Sequence, residues 1–266
     1  ELGIFVLPMP FTIDDQTYYE DINLTHEEFF GKQLNGAEIF TSQPVVGNVK
    51  ELWDQILKDY DEIVHIPMSS GLSGSCQTAM MLAQEYDNRV FVVDSQRISV
   101  TQKYDVIDAK RLADQGKSGQ EISDILTENK LNASIYITVN TLDYLKKGGR
   151  ITPAVATLAG LLKIVPIMKL NYDLGGKIDS FGKVRTAKKA NLKIIDHMVN
   201  ECKVNNKNYV FAIEHVLSED LALEMKQKLI EQIGECEILV RELPAVVGAH
   251  MGIGGIGYQY IRKYEG

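Results

Sequence analysis

Short apolar runs alternate along the chain with longer stretches of helical spacing. Residues 4–7, 63–68, 89–95, 135–139, 164–170, 178–184, 209–215 and 237–241 carry the apolar runs, with the length and β-branched content that strands use. Pro8 and Pro10 stop the first of these or place it at an edge. Phe11, Thr12 and Ile13 on one side of Asp14-Asp15, and Thr17, Tyr18 and Tyr19 on the other, predict a hairpin around an acidic turn. Helical spacing covers 49–60, with Leu52, Trp53, Ile56 and Leu57 on one face, and also 77–85, 106–115, 118–129, 187–202 and 218–233. Thr25 with Glu28 three residues on forms a capping box, and Ser218 is a natural N-cap. Strands alternating with helices at these intervals predict βαβ units with right-handed crossovers, an α/β fold class. The unbroken run 89–95 suits a parallel sheet covered on both faces.

The composition shifts near Tyr144-Leu145-Lys146-Lys147-Gly148-Gly149-Arg150, a short helix, a glycine stop and a basic corner. We place a domain junction there, giving 1–147 and 148–266. Beyond it, 154–162 is small and apolar and predicts a tightly packed helix. Residues 174–177 form a glycine turn between two strands, and 246–257 a glycine-rich loop entering a last strand. Residues 39–44, containing Thr41 and Ser42, read as a loop fixed by Pro44.

At 266 residues the chain can bury two cores. A net charge of −8 argues against nucleic acid or an anionic membrane as the main partner. No apolar run approaches the ~20 residues that span a bilayer. Three widely spaced cysteines, Cys76, Cys202 and Cys236, form neither a metal spacing nor a disulfide framework and point to a reducing cytoplasm.

The chemistry concentrates in Ser69-Ser70-Gly71-Leu72-Ser73-Gly74-Ser75, which joins an apolar strand to a helix. Glycines allow backbone N–H groups to approach a guest, the helix start supplies partial positive charge, and hydroxyls add donors. The stretch is therefore a candidate anion or carboxylate cradle; four serines exceed what a simple N-cap needs. Thr41 and Ser42 can face it from a neighbouring strand end. Arg150 can grip an anion bidentately, and Arg185 can be a second cation; taken alone, each also suits a solvated surface. His250 sits among glycines with no second ligand at metal spacing, so no metal is expected. Ser73 with His250 could form a nucleophile–base pair, and a serine hydrolase acting on acyl esters stays open as an alternative. However, Gly71-Leu72-Ser73-Gly74 is not the Gly-x-Ser-x-Gly elbow. The Gly252-x-Gly254-Gly255-x-Gly257 pattern has no βαβ unit after it, so a dinucleotide loop fails its context, and no Walker A sequence is present.

Six motifs in order carry a resemblance: Thr41-Ser42-Gln43-Pro44, Ser69 to Gly74, Val92-Val93-Asp94-Ser95, Tyr144 to Ile151, Lys183-Val184-Arg185-Thr186 and Gly248-Ala249-His250-Met251-Gly252. Together they resemble the DegV family, bacterial fatty-acid-binding proteins that act as acyl-carrying subunits of fatty acid kinase. The resemblance implies two α/β domains with a lipid tunnel between them. It implies a carboxylate held by Thr41, Ser73 and His250, with Ser42, Ser70, Gly71, Arg150 and Arg185 as head-group or partner contacts. It implies a cytoplasmic carrier of palmitate or oleate, without catalytic residues, cofactor or stable membrane insertion. A separate kinase catalytic subunit would convert the bound carboxylate to acyl phosphate for phospholipid synthesis. The family's historical name also leaves room for a regulatory role linked to degradative enzymes. Phe5, Leu7, Met9 and 154–162 are candidates for the apolar lining. The sequence departs from the family pattern twice. The opening strand and Asp-Ser loop of the family have no counterpart before Glu1-Leu2-Gly3, so part of the first domain is expected to be missing. Ala249 stands where relatives usually carry threonine.

Overall fold

The computed structural model describes residues 3–158, 160 and 164–264, with the backbone alone at 203–205. In chain order the elements are β1 (Phe11–Ile13), β2 (Gln16–Tyr18), α1 (His26–Leu34), β3 (Ile39–Thr41), α2 (Val46–Ile56), β4 (Ile63–His65) and α3 (Ser75–Ala83). Then follow β5 (Val90–Val92), α4 (Ser99–Asp114), α5 (Gly119–Glu128), β6 (Ala133–Thr138), α6 (Asp143–Gly148) and α7 (Pro153–Ala156). The last part contains β7 (Val165–Asn171), β8 (Lys177–Val184), α8 (Ala187–Cys202), β9 (Tyr209–His215), α9 (Glu219–Ile233), β10 (Glu237–Glu242), α10 (Ala245–Met251) and β11 (Ile256–Arg262).

Contacts divide the chain into two units. The first comprises Glu1–Thr25, Glu38–Leu131 and Tyr172–Gly176; the second comprises His26–Ala37, Asn132–Asn171 and Lys177–Gly266. A single cut at 147/148 does not describe this division, because β6 lies inside the sheet of the second unit, beside β11.

In the first unit, Asp14 and Asp15 both take positive φ (49° and 65°), the backbone that a tight two-residue hairpin requires. The hairpin β1–β2 forms as the sequence predicts, with Phe11 opposite Tyr18. Two expectations are corrected here. Residues 39–41 are a strand rather than a loop: β3 pairs antiparallel with β1, Phe11 opposite Thr41, and tertiary pairing overrides the local turn signal. Residues 4–7 are not a strand. Val6 is 79% exposed, and Pro8 and Pro10 have no N–H to give a ladder. The β4–α3–β5 unit is the expected βαβ crossover, with β4 and β5 parallel and Ile63 opposite Val90. Val49, Trp53 and Ile56 of α2 pack with Ile63, Ala79 and Val90 as the core on one side. Helix α5 starts at a capping box: Glu121 N–H donates to Ser118 Oγ at 3.3 Å, and Ser118 N–H donates to Glu121 Oε2 at 2.9 Å.

The second unit is a six-stranded sheet in the order β10-β9-β11-β6-β7-β8. Only β9 and β10 run parallel; the other neighbours are antiparallel. Among the described residues the βαβ expectation thus holds here for β9–α9–β10, while β6, β7 and β8 are antiparallel neighbours that need no crossover. Ala190, Ile194 and Met198 of α8 and Met225 and Leu229 of α9 bury one face against Phe211, Ile213 and Tyr258. Ser218 stands at the N-cap of α9, yet its hydroxyl donates to Val216 O at 3.2 Å instead of capping. Of the apolar stretch 154–162, residues 153–156 are helical as α7, while 159, 161 and 162 lie outside the described residues. The first part of the expected loop 246–257 is helical instead: α10 covers Ala245–Met251. Helix α10 is held by α1: Gln33 Nε2 donates to Gly248 O at 3.3 Å, and a Cβ on Gly248 would lie 2.5 Å from Phe30 Cζ.

Candidate functional site

The serine loop leaves β4 and turns into α3. Ser73 is 9% exposed, and its hydroxyl oxygen accepts from Ser75 N–H at 3.2 Å. With that oxygen accepting from a backbone donor, the hydroxyl keeps a hydrogen of its own to donate. The start of α3 follows at once, and its first-turn N–H groups add positive potential. Ser70 N–H donates to Asp94 Oδ1 at 3.3 Å, so the loop also hangs from the strand-end residues after β5. Gly71 lies flat against the Tyr172–Gly176 segment: a Cβ there would sit 2.5 Å from the carbonyl oxygens of Gly175 and Gly176. Here glycine is required by close approach of backbone to backbone.

Thr41, half-buried, ends β3 opposite Phe11, and Ser42 N–H donates to Pro10 O at 3.0 Å. The next residue ties this strand end to the serine loop. Gln43 Oε1 accepts from Thr78 Oγ1 at 3.1 Å in the first turn of α3, and a Cβ on Gly74 would meet it at 3.2 Å. The first unit thus brings the Thr41–Ser42 loop to the helix start that follows Ser73, from segments about thirty residues apart in sequence.

In the second unit, His250 occupies the last turn of α10. Its ring packs on Gly148, where a Cβ would lie 2.7 Å from Cε1 and closer still to Nδ1. Burial, with the cationic Arg150 beside it, depresses the imidazole pKa to about 4, so the ring is neutral near pH 7. Gly149 takes φ 69° to end α6 in the left-handed conformation, and the Arg150 guanidinium turns back to donate to Gly148 O. His250 and the Gly148-Gly149-Arg150 corner, a hundred residues apart, are therefore one cluster. The glycines after His250 serve packing. Gly252, at φ 70°, faces the Tyr144 ring, and Gly254, at φ 83°, faces Asn140, whose Nδ2 donates to Ile253 O at 3.2 Å. Arg185 is exposed in the turn between β8 and α8.

The cation beside His250 is the reverse of the carboxylate that orients a catalytic histidine. Among the described residues no group of three or more His, Cys, Asp or Glu is placed to hold a metal, and no helix is long and apolar enough to cross a membrane. The sequence points to Ser69, Ser70 and Ser75 as residues that shape the turn, but passes over Asp94 and Gln43 as supports of the loop. Their partners lie on other segments, and the pair Gly175-Gly176, read from the sequence only as a strand-to-strand turn, is also where the serine loop packs.

The first unit also contains a cavity of about 720 Å³ along the outer edge of β4. Phe5, Leu7 and Met9 line it together with Trp53, Val64 and Val106. His65 stands in its wall, accepts from Trp53 Nε1 at 3.4 Å, and has its pKa pressed down by burial to about 4.

The family model described as "Uncharacterised protein, DegV family" matches residues 1–263. A DegV domain-containing protein of Streptococcus pneumoniae is 31% identical over 261 residues, covering 97% of this chain and 91% of its own length. Among solved structures, a Thermus thermophilus DegV family protein described for its fatty acid binding superposes with a TM-score of 0.87 at 30% identity, covering 98% of this chain and 92% of that one. A fatty acid binding DegV family protein of Streptococcus agalactiae gives a TM-score of 0.89 at 27% identity, with the same coverage. The α/β fold expected from the motifs is thus the fold observed, and this chain belongs to the DegV family.

Proposed function

We propose that this protein is a carrier that binds a long-chain fatty acid, such as palmitate or oleate, and presents its carboxylate to a separate kinase subunit. In this reading Thr41 and Ser73 donate their hydroxyl hydrogens to the carboxylate and the neutral His250 is the third donor. The reading is supported most directly by Ser73. Its oxygen is taken up by Ser75 N–H at 3.2 Å, its proton remains for an acceptor, and the chain's relatives bind fatty acids.

Hydrogen bonds to a charged group contribute about 1.5–3 kcal/mol each, enough to orient a head group and not so much that it cannot be released. The acyl chain supplies the bulk of the affinity, at about 0.8 kcal/mol per buried methylene. Neutral donors also leave the carboxylate nucleophilic. Attack of one of its oxygens on the terminal phosphoryl group of a nucleoside triphosphate, held by the kinase, yields the acyl phosphate and the nucleoside diphosphate. Ser42, Ser70, Gly71, Arg150 and the exposed Arg185 are the contacts we assign to the head group or the kinase. The protein has no turnover of its own in this scheme, acts in the cytoplasm, and supplies acyl phosphate to phospholipid synthesis.

Mass spectrometry of the denatured, purified protein is expected to recover about one fatty acid per chain. Protein that is consistently empty, and that takes up neither palmitate nor oleate on addition, would overturn the proposal.

A further inference from the structure

The four serines of the loop have different tasks, and the geometry points to Ser69 as the residue that positions Ser73, a role that rests on the fatty-acid reading given above. Ser69 is fully buried, 0% exposed. Every polar atom it has is engaged. Its N–H donates to Arg97 O at 2.7 Å, and its carbonyl accepts from Leu72 N–H at 3.0 Å and Ser73 N–H at 3.2 Å. Its hydroxyl donates to Gly176 O at 2.9 Å and accepts from Gly71 N–H at 3.3 Å. A hydroxyl used as both donor and acceptor and shut off from solvent is no ligand for a carboxylate. It is instead the centre from which the loop is hung.

Both anchors of Ser69 lie on segments outside the loop. The Arg97 backbone belongs to a residue only 2% exposed, whose guanidinium pairs with the buried Asp105 and donates to Asn129 O. Gly176, at φ 73°, has room for no side chain: a Cβ would lie 2.8 Å from Gln96 Cβ and closer to Ser69 Oγ. The turn Tyr172–Gly176 therefore meets the serine loop backbone to side chain, and the Ser69 hydroxyl is the clasp. Through the Ser69 carbonyl, that clasp sets the Ser73 N–H and with it the direction of the Ser73 hydroxyl. Ser69 is a positioning residue for carboxylate recognition, acting without touching the ligand.

The test compares Ser69→Ala, Ser73→Ala and the double variant, reading palmitate affinity and amide hydrogen exchange across residues 70–75. We expect Ser69→Ala to weaken palmitate binding about 10-fold, to speed exchange in that segment, and to add almost nothing in the Ser73→Ala background, because both changes remove the same contact. Gly176→Ala, which keeps the serine but pushes its hydroxyl away from Gly176 O, is expected to reproduce the pattern and serves if Ser69→Ala folds poorly. Losses that multiply in the double variant, or exchange at 70–75 unchanged in both Ser69→Ala and Gly176→Ala, would overturn the inference. Loss of palmitate binding in neither Ser73→Ala nor Thr41→Ala would instead sink the carboxylate assignment, and the exchange readout would still decide on the clasp.

Discussion

Gly148→Ala tests the ligand role of His250 without altering the imidazole itself. The added methyl would sit 2.7 Å from His250 Cε1 and nearer still to Nδ1, so the ring must retreat by more than 1 Å to reach the 3.4 Å of ordinary contact. The backbone raises no objection, because Gly148 closes α6 with negative φ. Alanine there gains about 0.5–1 kcal/mol over glycine in helix propensity, which offsets part of the 1–3 kcal/mol that overpacking costs. The net effect on stability is therefore small, about 1 kcal/mol. A hydrogen bond to a carboxylate that is stretched or lost costs about 1.5–3 kcal/mol, or ~10- to 100-fold in Kd. Gly149→Ala is the complementary control. Its Cβ meets nothing within 4 Å, but φ is +69°, so it costs about 1 kcal/mol of stability through backbone strain and leaves His250 where it is. Displacement of a fluorescent fatty acid gives Kd, and thermal denaturation gives stability. The reasoning requires the two readouts to separate, Gly148→Ala losing affinity and Gly149→Ala losing stability. Gly148→Ala protein that binds as tightly as the parent, with its imidazole shifted by NMR, would refute the assignment of His250 to the carboxylate.

Two further outcomes are expected. His65, His215 and His250 all have pKa values lowered by burial, His65 and His250 to about 4. The unfolded chain therefore takes up protons near pH 6.5 that the folded chain does not, and stability falls as the pH drops from 6.5 towards 4, by about 2 kcal/mol per group between pH 7 and 5 for His65 and His250. Asp105, raised to about 6 by burial against the opposing pull of Arg97, acts in the reverse sense over the same range. His65→Gln or His250→Gln should flatten the acid limb of the stability profile relative to the parent, and an unchanged limb would contradict the burial of that ring. A fluorophosphonate probe should leave Ser73 unlabelled, since the cation Arg150 acts on His250 where a hydrolase needs a carboxylate; labelling at Ser73 would revive the acyl-ester hydrolase reading.

Local signals sufficed wherever a segment's own residues decided its state. The helix at Ala187–Cys202 and the strand at Tyr209–His215 appear with the bounds that their apolar spacing predicts. The Asp14-Asp15 hairpin is equally local, and the helix expected over 118–129 starts where Ser118 and Glu121 cap it. The motifs around Thr41, Ser73, Arg150, Arg185 and His250 sufficed for the family, because they follow one another in a fixed order along nearly the whole chain. The pairing of elements was decided elsewhere. Residues 39–41 became a strand because β1 offers them a ladder, while 4–7, as apolar as any strand, found none and lie beside a cavity. β11 became a central strand between β9 and β6, which makes the second unit largely antiparallel, a result no local pattern encodes. The serine loop shows the division most sharply. Its composition predicts a cradle for an anion and the motif singles out Ser73, but what fixes the loop is visible only once Arg97, Asp94 and Gly176 arrive from other segments. Hydrogen bonding is directional, so Gly176 O and Gly71 N–H consume the Ser69 hydroxyl, whereas the Ser73 oxygen accepts from Ser75 N–H and its hydroxyl keeps a hydrogen to donate.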